Sequence, residues 1–381
     1  MKKALIIAAA VLLGIGILVA VSGPLLNAMG VEVFCISNEG GRIQIVTCGE
    51  EPAVVEETSP PTLDPDAQPT LIDTDMAADD WMAILYLLQR PDVDARAITV
   101  TGAGEAHCGP GVQNALDLVA LAGRPEIPVS CGRETPLEGD RVFPQGWRAG
   151  VDALAGIEIP ANPNQPHGQD AVELIGESIR EADGDLEIVT LGPLTNLAET
   201  FAAEPDLAEQ IKQIYIMGGA FSVPGNVSDA PGMGIDNEAA EWNIYVDPHA
   251  AGLVVASGAP ITFVPLDASN YAPLDKAFYD RLAADRTTPA ANFVYQVLSR
   301  TISFVTSGNY FFWDPLTAAM AVDESLGTFE TGPVTVVEEE GPESGATRRD
   351  AAGSPARWAT AADGQRFKQH FLDTLNGRMA D

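Results

Sequence analysis

The sequence predicts an α/β protein with an open, mostly parallel sheet flanked by helices in a Rossmann-like arrangement. Two observations carry this expectation. From Thr70 onward, short apolar segments of strand length alternate with segments whose apolar residues recur at helical spacing. Alternation of the βαβα kind builds a parallel sheet covered by helices on its faces. A chain of 381 residues that is 46% hydrophobic can also bury one large core or two modest ones.

Residues 1–31 stand apart as an N-terminal signal-anchor or transmembrane segment. Lys2 and Lys3 precede the uncharged run Ala4 to Val21, and the next charge is Glu32. A run of that length is long for a signal-peptide core and about right for a bilayer span. The two lysines favour an inside N-terminus, which puts the remainder outside the cytoplasm. Small residues at Gly23 and Ala28 leave a cleaved, secreted form as the alternative.

Residues 32–69 form a small Cys-containing segment and a linker. Residues 32–50 look like two short strands around Gly40-Gly41, and 51–69 read as a Pro- and acid-rich tether. The domain from 70 to 381 then alternates. Strands are expected at 70–73, 95–102, 186–191, 213–219 and 261–267. Helices are expected at 79–89, with Met82, Leu85 and Tyr86 at helical spacing, and at 111–123 and 194–203. Residues 334–353 suggest a hairpin with an acidic, mobile loop, and 366–379 a final amphipathic helix.

Charge and cysteines narrow the function. The net charge of −33 argues against nucleic acid, which a polyanion repels. No C-x-x-C pair suggests a zinc ribbon. Cys35 and Cys48 make the simplest local disulfide, while Cys108 and Cys131 are expected as free buried thiols.

Ligands of parallel sheets sit at the carboxyl ends of the strands, so the loops there hold the chemistry. The loop after the first strand of the domain reads D-T-D-M-A-A-D-D, with Asp73, Asp75, Asp79 and Asp80 in eight residues. One such Asp would be an ordinary helix cap. Four need a counter-ion, and an all-oxygen set suits a hard divalent cation such as calcium or magnesium.

This run resembles the D-x-D-P-G-x-D-D signature of the inosine-uridine preferring nucleoside hydrolase family. The likeness extends over roughly 68–381. It takes in T-L-G-P-L-T-N (190–196), M-G-G (217–219), E-W-N-I-Y-V-D-P (241–248) and W-D-P (313–315). Met76-Ala77 stands where many members have Pro-Gly, a pair that shapes the loop. The resemblance implies the nucleoside hydrolase fold and calcium-dependent cleavage of the N-glycosidic bond of ribonucleosides. It also implies a dimer or tetramer. Asp75, Asp80, Asp314 and the Leu191 carbonyl match the metal ligands. Asp75 also matches the base that deprotonates water, and Asp73 an orienting residue behind it. Asp79, Asn226, Glu241 and Asn243 match ribose contacts, the last two on one side of an extended segment. Glu105 falls where many members have Asn, which leaves that contact open.

The departing base needs a proton. Many members carry His before the last metal-binding Asp, where this chain has Trp313. None of its four histidines occupies that motif, and His107 reads as a surface loop residue. Trp313 and Trp147, the latter in F-P-Q-G-W-R-A-G, instead resemble the purine-specific (inosine-adenosine-guanosine) branch, where two indoles sandwich the base. Trp81 and Trp242 read as helix and strand packing. Two other readings stand beside the hydrolase. One is a magnesium-dependent phosphatase with the first Asp of D-x-D as nucleophile. The other is a membrane-tethered nucleoside-binding protein without turnover.

Overall fold

The computed structural model describes residues 34–39, 42–47, 60–230 and 232–378. The expected anchor at 1–31, and Cys48 of the expected Cys35–Cys48 bridge, lie outside these residues. Among the described residues no helix is long and apolar enough to cross a membrane. The chain divides into two units, residues 1–54 and 55–381. In the first, β1 (Phe34–Glu39) and β2 (Arg42–Thr47) pair antiparallel, from Glu39 opposite Arg42 to Phe34 opposite Thr47.

The second unit is built on β3 (Gln68–Thr74), β4 (Val93–Val100), β5 (Val129–Cys131), β6 (Leu186–Thr190), β7 (Ile211–Met217), β8 (Ile261–Val264), β9 (Gly327–Val336), β10 (Thr347–Arg349) and β11 (Ser354–Ala362). They form one nine-stranded sheet in the order β10-β9-β11-β8-β7-β6-β3-β4-β5. Neighbours from β5 through β11 run parallel, and β9 is antiparallel to both β10 and β11. Chain order runs outward from β3 to β5 and then returns to β6 on the other side of β3. That reversal opens a crevice between the carboxyl ends of β3 and β6, where such sheets bind ligands.

Two apolar clusters cover the faces. Successive strand residues alternate between them, as the pleat requires: Leu71 faces one and Ile72 the other, and the same holds for Ile188 and Val189 and for Phe263 and Val264. Helix Ala78–Leu88 carries no polar stripe beyond its first turn. Every residue from Asp80 to Leu88 is buried, because the helices Trp313–Val322, Pro289–Arg300 and Gly364–Leu375 pack around it. Full burial of each large aliphatic side chain contributes roughly 1.5–3 kcal/mol.

Three expectations need correction. The tether ends before residue 69: β3 starts at Gln68, and the N–H groups of Asp64 and Gln68 donate to the carbonyls of Pro91 and Asp92, each at 2.9 Å. Backbone pairing with the turn before β4 outweighs the Pro-rich composition there. The acidic loop 337–346 is tied by ion pairs, two of them to distant segments and one within its own hairpin. Glu338 meets His249 at 2.7 Å, Glu340 meets Arg141 at 2.6 Å and Glu343 meets Arg348 at 2.7 Å. The hairpin is the expected one, but the third strand β11 inserts it into the main sheet. Finally, Cys108 and Cys131 are not free thiols. They form a disulfide with Cα atoms 5.7 Å apart, because the helix that follows β4 starts beside the end of the neighbouring strand β5.

Closing a loop across a sequence separation of 23 constrains the unfolded chain. Replacing Cys131 with Ser is therefore expected to cost about 3 kcal/mol, read from denaturant melts of the two proteins under non-reducing conditions.

Candidate active site

Asp75 lies one residue beyond the end of β3, at the reversal. Its carboxylate is held on both sides: Oδ1 accepts the Ala77 N–H at 3.2 Å and Oδ2 the Glu105 N–H at 3.1 Å. Two close approaches make room for it. A Cβ on Gly104 would overlap the Asp75 side chain, and one on Gly192 would sit 2.7 Å from the Asp75 Cβ. Asp80, in the first turn of helix Ala78–Leu88, turns back on this loop. Its Oδ1 accepts from the Thr74 hydroxyl and from the N–H groups of Asp75 at 3.1 Å and Met76 at 3.3 Å. The loop makes its turn through Met76, a non-glycine residue at φ +61° with a buried side chain. Such a conformation costs about 1–3 kcal/mol, which the convergent hydrogen bonds on Asp80 offset.

Asp73 does not reach the crevice. It is fully buried, and its Oδ1 accepts from the Thr99 hydroxyl at 2.6 Å and the Asn196 amide at 2.8 Å. Its carbonyl accepts the Leu191 N–H at 2.8 Å, which ties β3 to the start of the β6 loop. A carboxylate sealed in this way cannot attack phosphorus, so the phosphatase reading fails on geometry.

The polar wall comes from the segment after β7. Glu241 and Asn243 are not on an extended segment: Glu241 caps the short helix Trp242–Val246. Its Oε1 accepts the Asn243 N–H at 2.9 Å, and its Oε2 accepts the Ile244 and Gly219 N–H groups at 3.2 Å. A carboxylate that satisfies the open amides of a helix start favours the turn over the strand. Asn243 Nδ2 donates to the Leu191 carbonyl at 2.9 Å, leaving that oxygen a second lone pair. Asn226 accepts the Trp242 N–H at 3.1 Å.

All the site residues that the sequence suggested, except Asp73, border one cavity of about 720 Å³. Asp75, Asp79, Asp80, Asp314, Leu191 and Glu105 lie along it together with Asn226, Glu241, Asn243, Trp147 and Trp313. The volume is in the range of small-molecule sites. Two aromatic groups form its apolar walls. Trp147, on helix Gln145–Asp152, meets Trp242 edge-on at 5.6 Å, and Trp242 stacks on Phe143 at 5.1 Å. Trp313 opens helix Trp313–Val322 and contacts Tyr310 at 5.7 Å and Phe304 at 6.4 Å. Sequence reasoning missed Tyr310, Phe304 and Trp242 as cavity residues. The aromatic run ahead of Asp314, and the position of Trp242 between Glu241 and Asn243, were the available signals. His107 stays outside the cavity, where its ring pairs with Asp152 at 2.7 Å.

Among the described residues, carboxylate oxygens of Asp79, Asp80 and Asp314 approach within 4.8 Å of one another. The grouping differs from the ligand set the sequence suggested: Asp79 joins Asp80 and Asp314, and Asp75 stands alongside. Asp80 Oδ2 and Asp314 Oδ1 are buried without a hydrogen-bond partner. Burial, and then the charges of Asp79 and Asp80, push Asp314 well above the usual carboxyl range. Burial, and then Asp75 and Asp79, do the same to Asp80. Burial pushes Asp73, Asp75 and Glu241 each up to about 7. Unpartnered oxygens on mutually repelling buried acids fit a divalent cation, whose charge reverses this penalty.

Fold and cavity define a class: an α/β enzyme that gathers carboxylates at the reversal point of a parallel sheet, opposite aromatic walls. Residues 70–369 match the family described as inosine-uridine preferring nucleoside hydrolase. The pyrimidine-specific ribonucleoside hydrolase RihA of Shewanella sp. (strain MR-7) is 33% identical over 265 residues, 68% of this chain and 79% of that protein. Another curated relative, an uncharacterized protein of Schizosaccharomyces pombe, is matched over 60% of its length. The plant nucleoside hydrolase PpNRh1 superposes with a TM-score of 0.72 at 30% identity, covering 81% of this chain and 99% of that one. The purine-preferring ribonucleoside hydrolase from Gardnerella vaginalis does so with a TM-score of 0.69 at 30% identity, over 81% and 98%. The chain belongs to the inosine-uridine preferring nucleoside hydrolase family, and as such is a glycosidase of ribonucleosides.

The buried acids set a stability signature. Between the ordinary carboxyl range and about 7, folded Asp73, Asp75 and Glu241 hold protons that the unfolded chain has released. Stability without a cation therefore falls as pH rises through this window. Thermal melts with chelator should show Tm dropping from pH 5 to pH 8. Calcium should flatten that slope and, at about a hundred times its Kd, add about 2.7 kcal/mol. A Tm unaffected by calcium at pH 8 would remove the cation from the site.

Proposed function

We propose that this chain uses calcium to hydrolyse purine ribonucleosides to ribose and free base. The observation that carries the reading is a single cavity bordered by Asp75, by the trio Asp79, Asp80 and Asp314, by Asn226, Glu241 and Asn243, and by two separate aromatic walls. The trio would hold the ion, with the Leu191 carbonyl and Asp75 beside it, and an all-oxygen set favours calcium over zinc. A bound calcium ion would offset the clustered negative charge and acidify water next to it.

Asp75 accepts the proton of the attacking water. The amides of Ala77 and Glu105 fix its orientation, so the carboxylate need not reorganise during the reaction. Oxygen of that water bonds to the anomeric carbon as the carbon–nitrogen bond breaks, and the base leaves with the bonding pair. Asp79, Asn226, Glu241 and Asn243 supply donors and acceptors for the ribose hydroxyls. Trp313 and Trp147 stack on the base, and their π faces favour its cationic form, protonated from solvent before the bond breaks, so that it leaves as the neutral free base. That replaces a histidine acid, for among the described residues none borders the cavity. A pyrimidine preference is the second reading, favoured by the name of the RihA relative.

The enzyme acts outside the cytoplasm, held at a membrane by residues 1–31. The lysine-flanked apolar run supports this, as does a disulfide within the catalytic unit, a bond that persists in oxidising compartments.

Release of free base from inosine, guanosine, adenosine, uridine and cytidine, with calcium and then with chelator, tests the reading. Purine-selective, chelator-sensitive release is expected. Equal or faster cleavage of uridine would select the pyrimidine reading, and no release from a folded, calcium-loaded protein would select a binding protein. Asp75→Asn should lower kcat by about 10²–10⁴-fold with the fold intact by circular dichroism. Trp313→Ala should cost purine substrates about 1–3 kcal/mol in kcat/KM, and unchanged purine kinetics would discard the stacking role.

A further inference from the structure

One buried cation lies behind this acidic site, against the loop that holds Asp75, without a part in the chemistry so far. Arg148, on helix Gln145–Asp152, is only 7% exposed. Its donors go to main-chain oxygens: Nε to the Glu105 carbonyl at 3.2 Å and an Nη to the Gly102 carbonyl at 3.1 Å. Burying a guanidinium costs several kcal/mol unless its donors and charge are met. Here it spans the loop that leaves β4.

That loop grips Asp75. The N–H of Glu105 donates to Asp75 Oδ2 at 3.1 Å, and the N–H of Ala106 donates to the Asp75 carbonyl at 2.9 Å. Glu105 thus has its carbonyl oxygen on Arg148 and its own N–H on the Asp75 carboxylate, while the N–H of the peptide that follows it meets the Asp75 main-chain carbonyl. A charged donor on the oxygen fixes that peptide plane and strengthens the opposite N–H as a donor. Arg148 follows Trp147, which borders the same cavity, and Asp152 of the same helix binds the His107 N–H at 3.0 Å. One helix therefore braces the loop on the carboxylate and carries part of the aromatic wall.

We propose that Arg148 is a positioning residue for Asp75, acting through Glu105, whose carbonyl it holds and whose N–H meets the carboxylate. It links the orientation of the catalytic carboxylate to the helix that forms the base-binding wall. The proposal rests on the hydrolase reading above for its kinetic consequence, but not for its structural one. A planar fork that reaches two carbonyls is specific to arginine; a lysine ammonium is a point donor. Loss of the fork should let the carboxylate drift while substrate contacts persist.

The test compares the wild-type chain with Arg148→Met and Arg148→Lys. In Arg148→Met, kcat should fall by about 10–100-fold, as a displacement of an ångström or less in a catalytic group does, while KM changes by less than about threefold. Arg148→Lys should recover part of the loss. Amide hydrogen exchange of 102–107 should speed up about tenfold or more in Arg148→Met, with β3 and β4 as protected as in wild type. Wild-type kcat in both folded variants would overturn the proposal, as would a rise in KM alone, which would assign Arg148 to the base wall. Should Arg148→Met fail to fold, Arg148→Lys decides by the same kcat and exchange readings. Should the wild type cleave no nucleoside, the hydrolase reading fails, and exchange in 102–107 still decides: unchanged protection overturns the role of Arg148.

Discussion

Negative charge buried at the carboxyl ends of β3 and β6 is the constraint around which the catalytic unit is arranged. Asp80 and Asp314 are buried within reach of each other and of Asp79 at the cavity edge, and Asp75 is buried beside them in the same cavity. Such groups are tolerated only where hydrogen-bond donors or a cation meet them. The protein supplies main-chain N–H groups to Asp75, and N–H groups and a hydroxyl to Asp80. It leaves one oxygen each on Asp80 and Asp314 without a partner. The left-handed turn at Met76 and the close approach of Gly104 and Gly192 to Asp75 are consequences of packing acid and peptide this tightly.

The sequence motifs divide between chemistry and scaffold once their contacts are traced. Thr195 and Asn196 of T-L-G-P-L-T-N never touch the cavity. Thr195 donates to Asp247 at 2.8 Å and Asn196 to Asp73 at 2.8 Å, which joins three motif segments beneath the site. Gly192, in the same motif, is present because Asp75 needs the space. Glu241 does double duty as helix cap and cavity residue, so its spacing from Asn243 is set by the cap rather than by strand alternation. In each case a polar side chain organises backbone first, and the substrate-facing geometry follows.

The placement of most strands and of four helices was legible because strand and helix periodicities are local. Expected segments at 70–73, 79–89, 186–191 and 194–203 correspond to β3, helix Ala78–Leu88, β6 and helix Thr195–Ala203. The helices Gln145–Asp152, Ala171–Glu181, Pro248–Ala256, Lys276–Ala284, Pro289–Arg300 and Trp313–Val322 escaped notice, as did the short β5 and the late β11. Three residues carry too little pattern, and β11 has its apolar side chains spread among Ala, Pro and Arg. The cysteine and acidic-loop expectations failed for a shared reason: each depended on which distant segment lies alongside. Cys108, at the start of the helix after β4, meets Cys131 at the end of β5, and Glu338 and Glu340 meet His249 and Arg141, whose positions no local pattern reveals.

By itself, the sequence determined the strand–helix alternation, the crowding of four aspartates into one loop and the residue types able to grip a sugar and a flat base. These follow from side-chain chemistry and short-range spacing. Only the tertiary structure decided that Asp79 comes together with Asp80 and Asp314 next to Asp75, and that Asp73 is sealed behind the site. It also decided that Arg148 reaches the loop holding Asp75. Those outcomes depend on how a nine-stranded sheet reverses its order and what its helices press against it. Charge desolvation is a property of that enclosure, so no reading of neighbours along the chain contains it.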